Sequence, residues 1–401
     1  MRRDPIYLDN NATTALLPEV ADAMRACDAA GYMNPASQHW AGRRARRRLD
    51  EARDTISRIL GLRTSSPADR IIFTSGGTEA NNLALLGLAG HPPGRILISP
   101  IEHPSVVGAA QALQGRGFDV RALRVCSLGM VDCDHVRELL ADETRLVSIM
   151  LANNETGVLQ PVAEIARICA AAGVPLHTDA VQVAGKLPIQ FQALGASAVS
   201  VTAHKFHGPR GIGALVLREG VALDPVLFGG FQQQGLRPGT ESVTLPVGMA
   251  VALECWEREA SERLKRIAQL RDRLEERLCV VDAANVVNGA IAERLPQTSN
   301  ISFLGCDRQA LWMTLDVAGI ACSTGSACAS GSSEPSPVLL AMGLTRERVG
   351  SALRFSLSAL TTPTDVEQAA ERILTAVKDL RHLKPRRKLA DVARNYGPEP
   401  L

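Results

Sequence analysis

The chain has 401 residues, of which 46% are hydrophobic and 21% are charged, and its formal net charge is +2. These values are ordinary for a globular enzyme, and the length predicts two domains. The balanced charge excludes the concentrated basic surface of a nucleic-acid-binding protein. No apolar run approaches the length of a membrane span, so we expect a cytoplasmic protein without nucleic-acid or membrane partners.

The N-terminal region predicts neither a secretory signal nor an RNA site. It begins with MRRDPIYLDNNATT, in which two arginines precede no apolar segment. Residues 43–54, RRARRRLDEARD, are rich in arginine, but acidic residues follow closely and pair with it. This stretch therefore predicts the exposed face of a helix.

Between residues 70 and 217, short apolar runs alternate with helix-like segments, as in RIIFTS followed by GGTEANNLALLGLAG. This alternation predicts an α/β fold with a mainly parallel sheet covered on both faces. Such sheets bind ligands at the carboxyl ends of their strands. Polar motifs stand at those ends, namely SGGTE, EHP, NNETG, DAVQ and AHK. The strand ends therefore locate a site.

A long helical stretch after residue 246 predicts a connection to a second, smaller α+β unit. That unit has two predicted strands, TSNISFLG and ALRFSLSAL, and a last helix with capping-box spacing from Thr364 to Glu367. We predict a large domain at 16–260 and a small domain formed by 1–15 and 261–401. The small domain carries a cysteine-containing loop at about 322–336.

Asp179 and Lys205 follow neighbouring apolar strands. One interpretation is an ordinary salt bridge. The other is a site for pyridoxal phosphate (PLP), which needs a lysine to bond its aldehyde and an acidic partner to keep its ring nitrogen protonated. Gln182 would then hydrogen-bond the phenolic oxygen. These residues alone leave both interpretations open.

A glycine-rich turn and a histidine add to the PLP interpretation. Gly76 and Gly77, in TSGGTEANN, present backbone N–H groups to an anion at a helix N-terminus, and the hydroxyl of Thr78 adds a donor. An ordinary strand-to-helix turn has the same pattern. His103, in EHP, begins another helix and is suited either to stacking on a cofactor ring or to a structural hydrogen bond.

Cys328 lies in STGSACASGSSEPS, residues 323–336, among serine, glycine and alanine. Buried structural cysteines usually have bulky apolar neighbours, and this segment offers none. The nine cysteines are odd in number and include no C-x-x-C pair, which favours reduced thiols over a disulfide framework.

Together these motifs resemble the class V aminotransferase family of PLP enzymes and, more narrowly, its NifS/IscS-type cysteine desulfurases. The resemblance runs from YLDNNATT through SGGTEANN, HTDAVQ and AHKFHGPRGIG to STGSACASGSSEPS and LRFSLS. It implies PLP-dependent fold type I, with a mainly parallel seven-stranded sheet in the large domain. It also implies removal of sulfur from L-cysteine, with L-alanine as product and a persulfide on Cys328. A glycine- and serine-rich segment suits a thiol that must reach the substrate and then carry sulfur outward.

The resemblance also implies roles for individual residues. The implied catalytic residues are Cys328, Lys205 and His103. The implied cofactor-binding residues are Gly77, Thr78, His103, Asn154, Asp179, Gln182, Thr202, His204, Lys205 and Thr240. Of these, Thr240 would reach the phosphate of the neighbouring subunit in a homodimer. The implied substrate-binding residues are Asn34, Asn154 and Arg354, and the guanidinium fork suits a carboxylate. No stable metal site is implied, and Cys328 is a candidate only for a transient iron–sulfur contact.

Three positions depart from the family pattern or add to it. Phe231 and Gln234 replace the histidine and glutamate often found there, which leaves the polarity near the dimer contact open. Cys322, six residues before Cys328, is an additional thiol. It either resolves a persulfide, forms a disulfide or is a small buried residue.

Three functions are compatible with these observations. The main one is a cysteine desulfurase that passes sulfur to an acceptor or iron–sulfur scaffold protein. The second keeps the cofactor but makes the protein a selenocysteine lyase or another class V aminotransferase. The third is a sulfur- or cluster-carrying protein without catalysis, against which the intact set of Asp179, Gln182 and Lys205 argues.

Overall fold

The computed structural model describes residues 4–325 and 334–382. Cys328, the predicted nucleophile, lies outside the described residues. Within the described ranges there are twelve strands and twelve α-helices, with two short 3-10 helices at Ala203–Lys205 and Gln232–Gly235.

The strands, in chain order, are β1 (Ile6–Tyr7), β2 (Arg70–Thr74), β3 (Arg95–Ile98), β4 (Asp119–Ala122), β5 (Thr144–Ser148), β6 (Leu176–Asp179), β7 (Ala198–Thr202), β8 (Gly213–Leu217), β9 (Asn285–Val287), β10 (Thr298–Phe303), β11 (Ile320–Ala321) and β12 (Ala352–Ser356). The helices are α1 (Pro18–Ala29), α2 (Trp40–Ile59), α3 (Gly77–Leu88), α4 (Pro104–Gln114), α5 (Cys133–Leu139), α6 (Val162–Ala171), α7 (Phe191–Leu194), α8 (Thr244–Cys279), α9 (Arg308–Val317), α10 (Pro337–Ala341), α11 (Arg346–Gly350) and α12 (Pro363–His382).

The main sheet has seven strands in the order β2-β8-β7-β6-β5-β3-β4. From β7 to β4 every neighbouring pair is parallel, whereas β8 runs antiparallel to both β7 and β2. The predicted mainly parallel, seven-stranded α/β sheet is confirmed. All five residues of β7 are buried, as expected for a strand that is covered on both faces.

Helices cover both faces of this sheet. Val199 and Val201 of β7 join a cluster with helices α1, α2, α6 and α8. Ala198 joins a second cluster on the opposite face, with α3 and α4. The alternation follows from the two-residue period of a strand.

A smaller sheet, β12-β10-β9, is antiparallel, and β1 pairs with β11 in a separate two-stranded sheet. The hydrophobic core shared by these two small sheets contains Leu270 and Leu274, from the C-terminal half of α8, together with residues of α9 and α12. Helix α8, 36 residues long, thus packs against both cores. The predicted domain boundaries, 16–260 against 1–15 and 261–401, remain a prediction.

Two local predictions have different outcomes. The arginine-rich stretch lies in α2, where Arg48 pairs with Glu51 at 2.9 Å, and the predicted helix is confirmed. The predicted capping box of α12 is wrong by two residues. Thr362 and Asp365 instead form the reciprocal pair, with Asp365 Oδ2 accepting from Thr362 N at 2.9 Å. Pro363 explains the shift, because proline suits the first position of a helix.

No helix in the described part of the chain combines the length and apolarity that a bilayer crossing requires.

A buried histidine lies within the main sheet. His177 of β6 contacts Ser148 of β5 through Nδ1 at 2.8 Å and Ser200 of β7 through Nε2 at 2.9 Å. Burial lowers the pKa of His177 to about 3. The imidazole therefore stays neutral in the folded protein at a pH where the unfolded chain already binds a proton.

This difference predicts that stability falls as the pH falls through the window from 6.5 toward 3. Between about pH 7.5 and about pH 5.5, protonation of His177 in the unfolded chain should cost the folded state about 1.4 kcal/mol. Denaturant unfolding measures the free energy of unfolding at both pH values. The decrease between them should be smaller by this amount in His177→Gln than in the parent. The exposed His382→Gln is the control and should behave as the parent does. The same pH dependence in the parent and in His177→Gln would contradict the prediction.

Candidate active site

The carboxyl ends of β6 and β7 and the N-terminus of α3 surround a cavity of about 190 Å³. Nine of the ten predicted cofactor-binding residues line it: Gly77, Thr78, His103, Asn154, Asp179, Gln182, Thr202, His204 and Lys205. The structure therefore brings together residues that are up to 128 positions apart in the chain, from Gly77 to Lys205. Their individual roles remain proposals.

Lys205 ends the short 3-10 helix that follows β7. Its Nζ donates to the backbone carbonyls of Asn11 at 2.5 Å and Ala12 at 2.8 Å. These carbonyls belong to the LDNNATT segment near the N-terminus. Lys205 thus has neutral partners from the N-terminal segment that fix its amine at the cavity.

Asp179 is the last residue of β6 and is buried. Its Oδ1 accepts from the backbone N–H of Val181 at 2.9 Å, and its Oδ2 accepts from Nδ2 of Asn81 at 2.7 Å. Asp179 and Lys205 therefore have different hydrogen-bond partners, which favours a binding site over the simple salt-bridge interpretation.

Gln182 is held at both ends of its amide. Nε2 donates to the carbonyl of Asn11 at 3.0 Å, and Oε1 accepts from Nζ of Lys186 at 3.0 Å. Burial, followed by the nearby charges of Lys205 and Arg354, lowers the pKa of Lys186 well below its usual value. Sequence reasoning missed Lys186, although its position four residues after Gln182 was a usable signal.

The glycine-rich turn lies at the cavity, where Gly77 and Thr78 belong to its lining. The N-cap of α3 is Gly76, which has no side chain to accept from the N–H groups of the first turn. Burial, together with the charges of Lys205 and Lys186, lowers the pKa of His204 to about 4, so that this ring is neutral at neutral pH. Thr202 donates its hydroxyl hydrogen to the carbonyl of Ile212 at 2.9 Å.

His103 makes the structural hydrogen bond that its sequence position suggested, and stacking on a cofactor ring stays a prediction. It is the N-cap of α4, and its Nδ1 accepts from the backbone N–H of Ser105 at 3.2 Å. The ring also lines the cavity. A structural hydrogen bond through one nitrogen is thus compatible with a role of the ring in the site.

Arg354 lies directly behind the cavity and is 1% exposed. Its guanidinium donates to Oδ1 of Asp9 at 2.7 Å and to the carbonyl of Asn154 at 3.1 Å. Its backbone pairs with Ser323, at the first residue of the cysteine-containing segment, through bonds of 2.7 and 3.1 Å. Arg354 therefore connects that segment to the cavity lining.

The structure places three predicted residues outside the cavity lining, namely Arg354, which lies behind it, Asn34 and Thr240. Asn34 is exposed, and its Oδ1 accepts from the backbone N–H of Ala36 at 2.9 Å. Thr240 is also exposed. The roles of Asn34 and Thr240 stay predictions. The dimer contact near Phe231 and Gln234 also stays a prediction, and the side chain of Phe231 is 87% exposed.

The described flanks of the cysteine-containing segment are anchored beside the cavity. Ser336 donates to Oε2 of Glu155 at 2.6 Å, and Arg308 donates to the carbonyl of Glu334 at 2.8 Å. Glu155 directly follows Asn154 of the cavity lining. Ser323 is thus connected to the cavity lining through Arg354, and Ser336 is connected to it through Glu155.

Fold and site together define an α/β enzyme whose cavity offers an amine and a carboxylate at neighbouring strand ends. The chain belongs to the class V aminotransferase family, because the family model described as Aminotransferase class-V matches residues 6–369.

Named relatives within this family are cysteine desulfurases. Cysteine desulfurase IscS of Dictyoglomus turgidum is 38% identical over 392 residues, which cover 96% of this chain and 97% of that protein. Cysteine desulfurase NifS of Azotobacter vinelandii is 38% identical over 382 residues, which cover 95% of this chain and 94% of that protein. The X-ray structure of a NifS-like protein from Rickettsia africae matches with a TM-score of 0.85 and 33% identity, covering 94% of this chain and 99% of that one.

The buried pair of Arg354 and Asp9 predicts a large loss of stability when its charge balance is broken. Asp9→Asn keeps the shape of the side chain but removes the charge that is hydrogen-bonded to the buried guanidinium, which should lower the free energy of unfolding by about 3 kcal/mol. Asp22→Asn, which breaks the exposed pair with Arg25, should change it by less than about 1 kcal/mol. Denaturant titration measures both variants. Equal, small effects would show that the buried charge is compensated elsewhere.

Proposed function

We propose that this protein is a PLP-dependent cysteine desulfurase, which converts L-cysteine to L-alanine and leaves the sulfur as a persulfide on Cys328. The observation that carries the proposal is the meeting of Lys205 and Asp179 in one cavity at the ends of adjacent strands. Membership of the class V aminotransferase family and the names of the relatives support it.

The residues of the cavity fit PLP. Lys205 supplies the amine that bonds the aldehyde, and Asp179 supplies the carboxylate for the ring nitrogen. Gln182 would bind the phenolic oxygen, and the first turn of α3, with Gly77 and Thr78, would bind the phosphate. When bound, PLP supplies an electron sink that permits bonds at the substrate carbons to break.

The chain's own residues would orient the substrate and move its protons. Arg354, whose guanidinium donates to the carbonyl of Asn154 in the cavity lining, would bind the carboxylate of L-cysteine. Lys205, once it no longer bonds the cofactor, is placed to exchange protons with the substrate carbons. His103 would stack on the ring and exchange a proton with the substrate.

Sulfur transfer requires a thiolate from outside the cavity. The Cys328 thiolate attacks the substrate sulfur, so that an S–S bond forms while the bond from sulfur to Cβ breaks. The electron pair stays on carbon, which takes up a proton and becomes the methyl group of L-alanine. The carbon is reduced and the two sulfurs share the oxidation, so no external oxidant is needed. Anchoring of both flanks beside the cavity supports this role of Cys328.

Cys322 is not suited to the same task. It is 7% exposed, and burial, followed by the charge of Asp9, raises the pKa of its thiol. The buried-residue interpretation of Cys322 is confirmed, and a protonated thiol is a poor nucleophile.

We further propose that the enzyme acts as a cytoplasmic homodimer, in which Thr240 reaches the partner's phosphate site, and that a sulfur-acceptor or iron–sulfur scaffold protein receives the persulfide sulfur. Exposure of Thr240 supports the first of these roles.

The two cysteines predict opposite results on substitution. Cys328→Ala should abolish release of sulfide from L-cysteine with a reductant, because the proposed nucleophile is lost, and should keep the visible absorbance of bound PLP. The control, Cys322→Ala, should keep most of the turnover, apart from a modest loss of stability typical of a small buried change.

Full desulfurase turnover in Cys328→Ala would contradict the assignment of the nucleophile. Cleavage of L-selenocysteine that survives in Cys328→Ala, without cleavage of L-cysteine, would favour a selenocysteine lyase instead.

Lys205→Ala should give a purified protein without the visible absorbance of covalently held PLP. Lys378→Ala, which changes an exposed lysine on α12, is the control and should keep it. Absorbance spectra before and after borohydride treatment, with mass analysis of the labelled peptide, identify the modified lysine. A label on a peptide other than that of Lys205 would contradict the site.

A further inference from the structure

Asn81 and Ser105 connect the two sides of the cavity. Asn81 lies on α3 and is 1% exposed, and Ser105 lies on the first turn of α4 and is also buried. Nδ2 of Asn81 donates to Oδ2 of Asp179 at 2.7 Å and to Oγ of Ser105 at 2.8 Å. These two bonds use both hydrogens of the amide.

The orientation of the Asn81 amide follows from its partners. An ionised carboxylate only accepts hydrogen bonds, so the nitrogen of the amide must face Asp179. Among the described residues, Oδ1 of Asn81 is buried without a hydrogen-bond partner. The reverse orientation would place this oxygen against a carboxylate oxygen and leave Asp179 without a donor from α3.

The direction of the next hydrogen bond is then fixed as well. Oγ of Ser105 accepts from Asn81, so its one hydrogen is available for Nδ1 of His103, which lies 2.8 Å away. The backbone N–H of Ser105 also points to Nδ1, at 3.2 Å. Two donors therefore converge on one ring nitrogen, which must present its lone pair. A neutral imidazole with its lone pair on Nδ1 carries its hydrogen on Nε2.

We propose that Asn81 is a positioning residue that acts in two directions: it holds the carboxylate of Asp179, and through Ser105 it fixes the Nε2–H tautomer of His103. In the desulfurase, on which this inference rests, the hydrogen of the ring is then on the nitrogen opposite to Ser105. The hydrogen bonds from Asn81 through Ser105 thus set the position of the proton on the His103 ring before the substrate binds. Neither Asn81 nor Ser105 follows from the motif assignments, because the link forms only when α3 and α4 pack side by side.

The tautomer can be measured by long-range ¹⁵N–¹H correlation spectra of the full-length protein labelled in histidine, with His103→Gln used to assign the signals. The parent should show Nδ1 of His103 as the unprotonated nitrogen. Ser105→Ala and Asn81→Leu should each raise the share of the Nδ1–H tautomer about fivefold, as expected for the loss of one hydrogen bond of ordinary net strength. Ser105→Thr keeps the hydroxyl and should restore the signal of the parent.

The matched control is Asn82→Leu on the same helix. The amide of Asn82 donates to the carbonyl of Thr78 at 2.9 Å, within its own helix, so its loss should leave the tautomer unchanged. If Asn81→Leu does not fold, Ser105→Ala alone carries the test. An Nδ1–H tautomer in the parent, or an unchanged tautomer in Ser105→Ala, overturns the proposal. The proposed function fails separately, by the absence of L-alanine from L-cysteine in the parent.

Discussion

The position of the Lys205 amine at the end of β7 is the constraint on which the rest of the site depends. β7 is buried along its whole length, and the short 3-10 helix after it turns the lysine into the cavity beside the end of β6. The N-terminal segment completes the arrangement, because the carbonyls of Asn11 and Ala12 accept from Nζ. The backbone N–H of Thr14 is anchored in turn by the carbonyl of His204 at 2.9 Å. The N-terminal segment is thereby hydrogen-bonded to both His204 and Lys205, which follow β7.

The same N-terminal segment is also hydrogen-bonded to strands of the two smaller sheets. Leu8 donates its N–H to Ala321 of β11, and Asn10 donates to Ser356 of β12. The side chain of Asn11 reaches the carbonyl of Asn154 at 3.1 Å. The side chains of Lys205 and Arg354 lie at and behind the cavity, and their charges, after burial, lower the pKa of Lys186.

Much of the fold and most of the site could be predicted from the sequence. The parallel strands are continuous apolar runs that end in polar motifs. Short stretches of sequence therefore predict both the sheet and the edge at which the candidate site lies. The antiparallel direction of β8 and the strand order depend on contacts between distant segments, which no local pattern encodes. Asn81 and Ser105 were missed for the same reason, since they bind each other and Asp179 from different elements. Lys186 was missed although its partner Gln182 lies only four residues earlier. Proline at 363, by contrast, was a local signal that should have moved the capping box of α12 to Thr362.

The central claim is that sulfur passes from L-cysteine to one thiol of this chain. A single-turnover reaction of the PLP-loaded protein with L-cysteine, followed by alkylation, proteolysis and mass spectrometry, tests it most directly. The account predicts one additional sulfur atom on the peptide that contains Cys328, with L-alanine formed in equal amount. L-alanine formed without sulfur on that peptide, or sulfur found on another cysteine in its place, would contradict it.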